Sequence, residues 1–280
     1  MEIITTLEGM GRAIRKEKGG GRSIGLVPTM GFLHEGHLSL VRISRAAADV
    51  TVVSLFVNPI QFGPKEDLKT YPRDFERDAA MLRTESADYL FAPADGDMYP
   101  REHRAFVEVR ELQDRLCGRA RPGHFRGVCT VVLKLFNLVE PDCAVFGQKD
   151  AQQALILKRM VADLNVPVRM IVAPIVREPD GLAMSSRNMY LSPEERRAAR
   201  VLSRSLAEAR AMITAGNRDA GPVTARMRSL IEAEPAARID YVEAVDPDEL
   251  KPEAVLRDGT LIALAVFIGR TRLIDNLIVS

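Results

Sequence analysis

The sequence predicts an α/β protein: a Rossmann-like parallel sheet with helices on both faces, followed by a smaller C-terminal α+β domain. Three observations predict it. Short apolar runs alternate with segments of helical period through the first part of the chain. Such alternation implies parallel strands, because parallel neighbours need a helical crossover between them. Beyond the Pro174–Pro179 region the order changes to helices first and strands later, which marks a separate lobe. The division falls at 1–175 and 176–280.

The elements follow in order. Residues 5–18 read as a helix closed by Gly19, Gly20 and Gly21. Ser23 to Val27 is a short apolar run stopped by Pro28, hence a buried strand. Gly36 to Ala48 carries Leu38, Val41 and Ala48 at helical spacing. Thr51 to Val57 is a second buried strand, ending at Asn58-Pro59. Pro72 to Arg83 reads as a helix with proline in its first turn. Tyr89 to Ala92 is a third strand and Ala105 to Val109 a fourth. A long apolar helix, Gly127 to Val139, precedes a strand at Cys143 to Phe146, a helix at Asp150 to Leu164 and a strand at Val166 to Val172. Ser192-Pro193-Glu194-Glu195 is a capping box with proline at N1. It opens a helix with Leu202, Leu206, Ala209 and Ile213 on one stripe, ending at Gly216. A helix at 219–233 and strands at Ile239 to Val245, Leu261 to Phe267 and Leu273 to Ile278 complete the chain.

Composition narrows the function. Lys+Arg is 39 and Asp+Glu 38, a balance that gives no electrostatic footprint for nucleic acid or a membrane surface. Trp is absent, which also argues against a base-stacking surface. Three cysteines form no CxxC pair and read as reduced thiols. No apolar run is long enough to span a bilayer, and the N-terminus lacks a signal core. A cytoplasmic protein is expected.

The chemistry-bearing signal is Pro28-Thr29-Met30-Gly31-Phe32-Leu33-His34-Glu35-Gly36-His37. It lies between a buried strand and a helix start, where free backbone N–H groups and the helix dipole attract anions. Two imidazoles there can donate to a phosphate as its charge grows. Gly36 leaves room for a flat base to approach the backbone. HEGH is not a zinc-binding HExxH, since its histidines are three apart. A second signal, Met184-Ser185-Ser186-Arg187, offers hydroxyls and a guanidinium suited to a polyphosphate. Alone it is a polar loop before a helix.

GFLHEGH resembles the HxGH signature of nucleotidylyl transferases and class I aminoacyl-tRNA synthetases, and MSSR resembles their second signature. The blocks GLVPTMGFLHEGHLSLV, FVNPIQFGPKEDLKTYPRD, GHFRGVCTVVLKLFNLVEPD, FGQKDAQQ, DGLAMSSRNMYLS and IGRTRLIDN resemble the pantoate–β-alanine ligase family. Together they run from about residue 20 to the end of the chain. The resemblance implies ATP-dependent condensation of pantoate with β-alanine through a pantoyl adenylate, with AMP and pyrophosphate released and Mg²⁺ accompanying ATP. It implies ATP contacts from Met30, Gly31, Phe32, Leu33, His34, Glu35, Gly36, His37, Gly147, Gln148, Lys149, Asp150, Val176, Met184, Ser185, Ser186 and Arg187. Among these, His34, His37, Lys149, Ser185, Ser186 and Arg187 carry catalysis, and His37 is the preferred proton donor. Gln61, Gln153 and Asn58 fall to pantoate or β-alanine. Metal ligands stay unassigned. Gln148 departs from the glutamate common in the family's FGEKD block.

Several residues keep an ordinary reading beside the functional one. Tyr71 is a candidate beside the substrate site or a partly buried aromatic, Asp150 an ATP contact or a helix cap, and His124 has no role. Asp78 approaches Mg²⁺ or substrate, or lies on a solvated helix face. A homodimer is implied by resemblance alone. The rivals are another HxGH nucleotidylyl transferase of coenzyme biosynthesis and a non-catalytic nucleotide-binding module, since fold alone does not give function.

Overall fold

The computed structural model describes residues 1–64 and 66–280. The undescribed Lys65 falls inside the FVNPIQFGPKEDLKTYPRD block. The chain divides into two compact units. The first comprises Met1–Asp114, Gly118–Gly147 and Gln152–Pro174; the second comprises Arg115–Cys117, Gln148–Ala151 and Ile175–Ser280.

The first unit holds a six-stranded sheet: β1 (Glu2–Ile4), β2 (Ile24–Thr29), β3 (Val50–Leu55), β4 (Tyr89–Phe91), β5 (Cys143–Gly147) and β6 (Arg169–Ala173). Its spatial order is β1-β4-β3-β2-β5-β6, and every pairing is parallel. The flanking helices are α1 (Leu7–Gly19), α2 (Glu35–Ala47), α3 (Phe75–Thr84), the short turns α4 (Asp95–Met98) and α5 (Cys117–Ala120), α6 (His124–Val139) and α7 (Ala151–Asp163). Val27, Val53, Leu90 and Val145 from the strands pack with Val41 of α2 and Leu82 of α3, all fully buried. Each such side chain contributes roughly 1.5–3 kcal/mol. The chain runs outward from β2 in one direction to β3 and β4, and β5 lies on its other side. The strand order therefore reverses between β2 and β5, where such sheets bind ligands beyond their carboxyl ends.

The second unit holds α8 (Pro193–Ala199), α9 (Val201–Thr214), α10 (Ala220–Glu232) and an antiparallel sheet of β7 (Ala237–Val245), β8 (Leu261–Ile268) and β9 (Thr271–Ile278). Leu202, Leu206 and Ile213 of α9, with Val223 and Met227 of α10, bury against Ile262 and Leu264 of β8. Among the described residues, no helix is long and apolar enough to cross a membrane.

Four expectations need correction. The sequence pattern predicts no strand at Glu2–Ile4, where β1 lies. Ala105 to Val109 joins no ladder: Val107 N–H donates to the Thr130 hydroxyl at 3.0 Å instead of to a neighbouring strand. The α3 helix starts at Phe75, capped by Asp74, whose carboxylate accepts from Arg77 N–H; Pro72 lies ahead of it. The helix after Ser192 is two helices, interrupted at Arg200 with ψ of −16°. The capping box at Ser192 and Glu195 is present with both reciprocal bonds.

Candidate active site

In the first unit, the turn after β2 is held from beneath. Gly31 has φ +84°, and a Cβ there would lie 3.1 Å from Leu55 and 3.2 Å from the Asp78 carboxylate, so glycine fits on both counts. Phe32 follows with φ 52°. Asp78 of α3, fully buried, accepts from the N–H groups of Phe32 at 2.6 Å and Leu33 at 2.8 Å. Burial pushes the Asp78 carboxyl above its usual range, and those two N–H groups draw it back. Next in sequence, Arg77 donates to the Leu33 carbonyl at 2.9 Å and sits 5.0 Å over the Phe32 ring. Asp78 is thus a buried brace, neither a solvated helix residue nor an open ligand. The sequence signal was there: Asp78 is four residues from Leu82, on the buried stripe of α3.

The turn delivers two imidazoles to the start of α2. His34 is its N-cap residue, with extended backbone, and His37 lies in the first turn. Their ring centroids are 4.1 Å apart. His34 N–H points to His37 Nδ1 at 3.4 Å, so the proton of a neutral His37 ring is on Nε2. Glu35 is exposed and its carboxylate pairs with Arg42, which also holds Glu85.

A second group gathers at the end of β3. Asn58 caps and Gln61 ends a single 3₁₀ turn, and they are 1% and 7% exposed. Asn58 Nδ2 donates to Gln61 Oε1 at 2.9 Å and to the Gly127 carbonyl at 3.0 Å. Gln61 Nε2 lies 3.1 Å from Met30 Sδ. The fold thus joins Met30, Asn58 and Gln61, expected from separate stretches of sequence. The buried Asn58 Oδ1 has no hydrogen-bond partner among the described residues. Tyr71 is buried with its ring edge-on to Phe62. Gln153 is half-buried on α7, while its neighbour Gln152 is buried and donates to the Leu112 carbonyl.

In the second unit, Gln148, Lys149 and Asp150 form a 3₁₀ turn directly after β5, whose last residue is Gly147. Lys149 therefore precedes α7 instead of opening it. Its ammonium is 3.8 Å from Asp150 and its side chain 22% exposed. Asn276 of β9 anchors this turn: its Nδ2 donates to the carbonyls of Gln148 at 2.9 Å and Lys149 at 3.1 Å. Gln148 Nε2 returns a bond to Asn276 Oδ1 at 3.1 Å. Here the carboxamide of Gln148 does what a carboxylate could not, because Asn276 presents an acceptor to it.

The MSSR loop hangs from a tight hairpin. Val176 accepts at its carbonyl from Met184 N–H at 3.0 Å, and Glu178 N–H donates to the Leu182 carbonyl at 2.8 Å. Ser185 caps the next 3₁₀ turn, accepting from Arg187 N–H at 3.2 Å. The buried Asn188 donates to Glu178 at 2.7 Å and to the Ala183 carbonyl at 3.1 Å. Arg196 pairs with Glu178 and Asp180. Arg177 grips both oxygens of the buried Asp275 at 2.6 and 3.0 Å. Asp78, Asn188, Asp275 and Asn276 were not recognised as braces from sequence. No group of three or more His, Cys, Asp or Glu positioned to hold a metal exists among the described residues.

Comparison with known proteins adds an independent line. The family model described as pantoate-beta-alanine ligase matches residues 2–278. The chain is 54% identical over 278 residues to the pantothenate synthetase of Thermoanaerobacter pseudethanolicus, covering 99% of this chain and 98% of that one. It is 54% identical to that of Heliobacterium modesticaldum over the full length of both. Among solved structures, a pantothenate synthetase from Thermus thermophilus superposes with TM-score 0.95 at 45% identity, covering 99% of each chain. The pantoate-beta-alanine ligase of Francisella tularensis, complexed with beta-gamma ATP and beta-alanine, gives 0.81 at 34% identity, with 99% and 97% covered.

Proposed function

The chain belongs to the pantoate–β-alanine ligase family, and from that membership we propose that it condenses pantoate with β-alanine using ATP, through a pantoyl-adenylate intermediate. A pantoate carboxylate oxygen attacks the α-phosphorus of ATP, the bond to the β-phosphate breaks, and pyrophosphate leaves. The β-alanine amine then attacks the acyl carbon and gives up a proton. The acyl–phosphate C–O bond breaks and AMP departs with the electron pair. No covalent enzyme intermediate is needed, because ATP supplies the activated leaving group; the protein positions reactants and stabilises charge.

The residues carry these roles as follows. Met30 to His37 line ATP, with His37 donating from Nε2 to phosphate oxygen and His34 beside it. Lys149, Ser185, Ser186 and Arg187 neutralise phosphate charge, and Gly147, Gln148, Asp150, Val176 and Met184 complete the nucleotide contacts. Gln61, Gln153 and Asn58 hold the acid and amine substrates. Mg²⁺ would accompany ATP and offset phosphate charge. What supports these assignments is similarity along the whole chain, the paired imidazoles at a helix start beyond a parallel strand, and the Francisella complex with an ATP compound and beta-alanine. The whole-chain similarity carries the reading.

Product analysis tests it. Purified protein with Mg-ATP, pantoate and β-alanine should form AMP and pantothenate only when both acids are present. Pyrophosphate release with pantoate alone, and no effect of β-alanine, would overturn the amine assignment. Absence of turnover would overturn the whole reading. The family likeness also leads us to assign a homodimer, which light scattering decides, and a lid role for residues 176–280, which scattering profiles with and without nucleotide decide.

A further inference from the structure

The Gln61 carboxamide is fixed in position and in polarity by Asn58 and Met30, and Asn58 is itself set by the Gly127 carbonyl. The Gly127 carbonyl can only accept, so the Asn58 group facing it is the NH₂. That same NH₂ donates to Gln61, so Oε1 is the inward end of the Gln61 amide and Nε2, near Met30, is the other. Gln61 is thereby left with N–H to offer a ligand and its oxygen already engaged.

The backbone of Gln61 is held as tightly. His124 Nδ1 is 2.8 Å from the Gln61 carbonyl, which accepts, so the ring proton is on Nδ1. Arg121 Nη1 is 3.0 Å from His124 Nε2; a guanidinium only donates, so Nε2 keeps its lone pair. These two contacts together select the neutral Nδ1–H tautomer. Arg121 is itself fixed by both Glu66 oxygens at 2.7 Å. Across from this, the α6 backbone closes on the turn: a Cβ at Gly127 would lie 2.6 Å from Gln61 Cα and from the Ile60 carbonyl oxygen.

We propose that Arg121, His124 and Gly127 are positioning residues that present the Gln61 carboxamide N–H first, so that it reads an acceptor oxygen of the hydroxy-acid substrate. This rests on the assignment of Gln61 to pantoate in the proposed function. A substrate hydroxyl could also satisfy Asn58 Oδ1, which has no partner among the described residues.

Steady-state kinetics of His124→Ala, His124→Asn and Gly127→Ala test it, with pantoate and ATP varied separately. His124→Ala should raise the pantoate KM about tenfold or more, the scale of one lost hydrogen bond, with the ATP KM unchanged. His124→Asn, whose side-chain N–H can replace Nδ1–H, should recover most of that loss. Gly127→Ala should resemble His124→Ala. Equal rises in both KM values, or a pantoate KM within about twofold of wild type in folded protein, would overturn the proposal. Should a variant fail to fold, nitrogen NMR of the wild-type neutral ring decides: its proton must be on Nδ1, and an Nε2–H ring overturns the proposal. A wild type that does not turn over pantoate sinks the proposed function instead, and the ring tautomer remains measurable.

Discussion

Asn276 holds the main chain at Lys149, not its side chain: the Asn276 amide donates to the Lys149 carbonyl at 3.1 Å from a strand 127 residues away. With its bonds to Gln148, it anchors the Gln148–Asp150 turn to β9. Asn276→Ala leaves two carbonyls and the Gln148 amide without these partners. We expect a loss of about 2–3 kcal/mol in urea unfolding, the scale for buried groups deprived of a bond, and lower turnover with it. Full activity in a destabilised variant would separate this anchor from the function of the turn.

The same geometry predicts a different outcome at Lys149. Its anchor is a carbonyl that every residue possesses, so Lys149→Ala keeps the Asn276 bond. Turnover should fall roughly 100-fold or more, the scale for losing a charge-stabilising donor, while the melting temperature stays near wild type. Near-normal turnover would remove Lys149 from the mechanism.

The contrast between these residues explains what was legible in the sequence. Lys149, His34 and His37 stand in compact motifs whose chemistry and local context lie within ten residues of each other. The capping box at Ser192 was equally local, and its bonds span three residues. Asp78 and Asp275 were not legible as braces because their partners are remote: Asp78 reaches back 45 residues to Leu33, and Arg177 reaches 98 residues to Asp275. The strand β1 escaped for a related reason. It has three residues, and only its pairing with β4, 87 positions on, defines it. Ala105 to Val109 has strand-like composition, yet Thr130 of α6 takes the N–H a ladder would need.

A buried pair in the first unit makes stability depend on pH. Tyr89 donates to Glu17 Oε1 at 2.5 Å and Arg22 to Oε2 at 2.7 Å. The Tyr89 hydroxyl, then the Arg22 charge, hold the Glu17 carboxyl below its usual range against the opposing effect of burial. Burial pushes the Tyr89 phenol up to about 12, so it stays a donor at neutral pH. A depressed folded-state pKa gives stability that is present above the unfolded value and lost as pH falls through the folded one. Tyr89→Phe should therefore cost about 2 kcal/mol near neutral pH, where Glu17 is charged. The gap to wild type should narrow as pH falls through the folded pKa of Glu17. A gap that is constant or widens in acid would show that Glu17 is not the group responsible.

Asp78 offers the sharpest test of how the HxGH turn is built. Its carboxylate accepts from two consecutive N–H groups, Phe32 and Leu33, immediately before His34. Asp78→Asn keeps the size but turns one acceptor into an NH₂ facing a backbone donor. The unmet donor should cost about 3 kcal/mol, and the turn should loosen just where it sets the two imidazoles. We therefore expect kcat to fall about tenfold or more, because small misplacements of catalytic groups weigh heavily on rate. The Mg²⁺ concentration giving half-maximal rate should stay unchanged, since the side chain is sealed beneath the turn with no exposed surface. A steep rise in the Mg²⁺ requirement would restore Asp78 as a metal-facing residue. Loss of stability with wild-type kcat would mean that His34 and His37 are held by α2 alone.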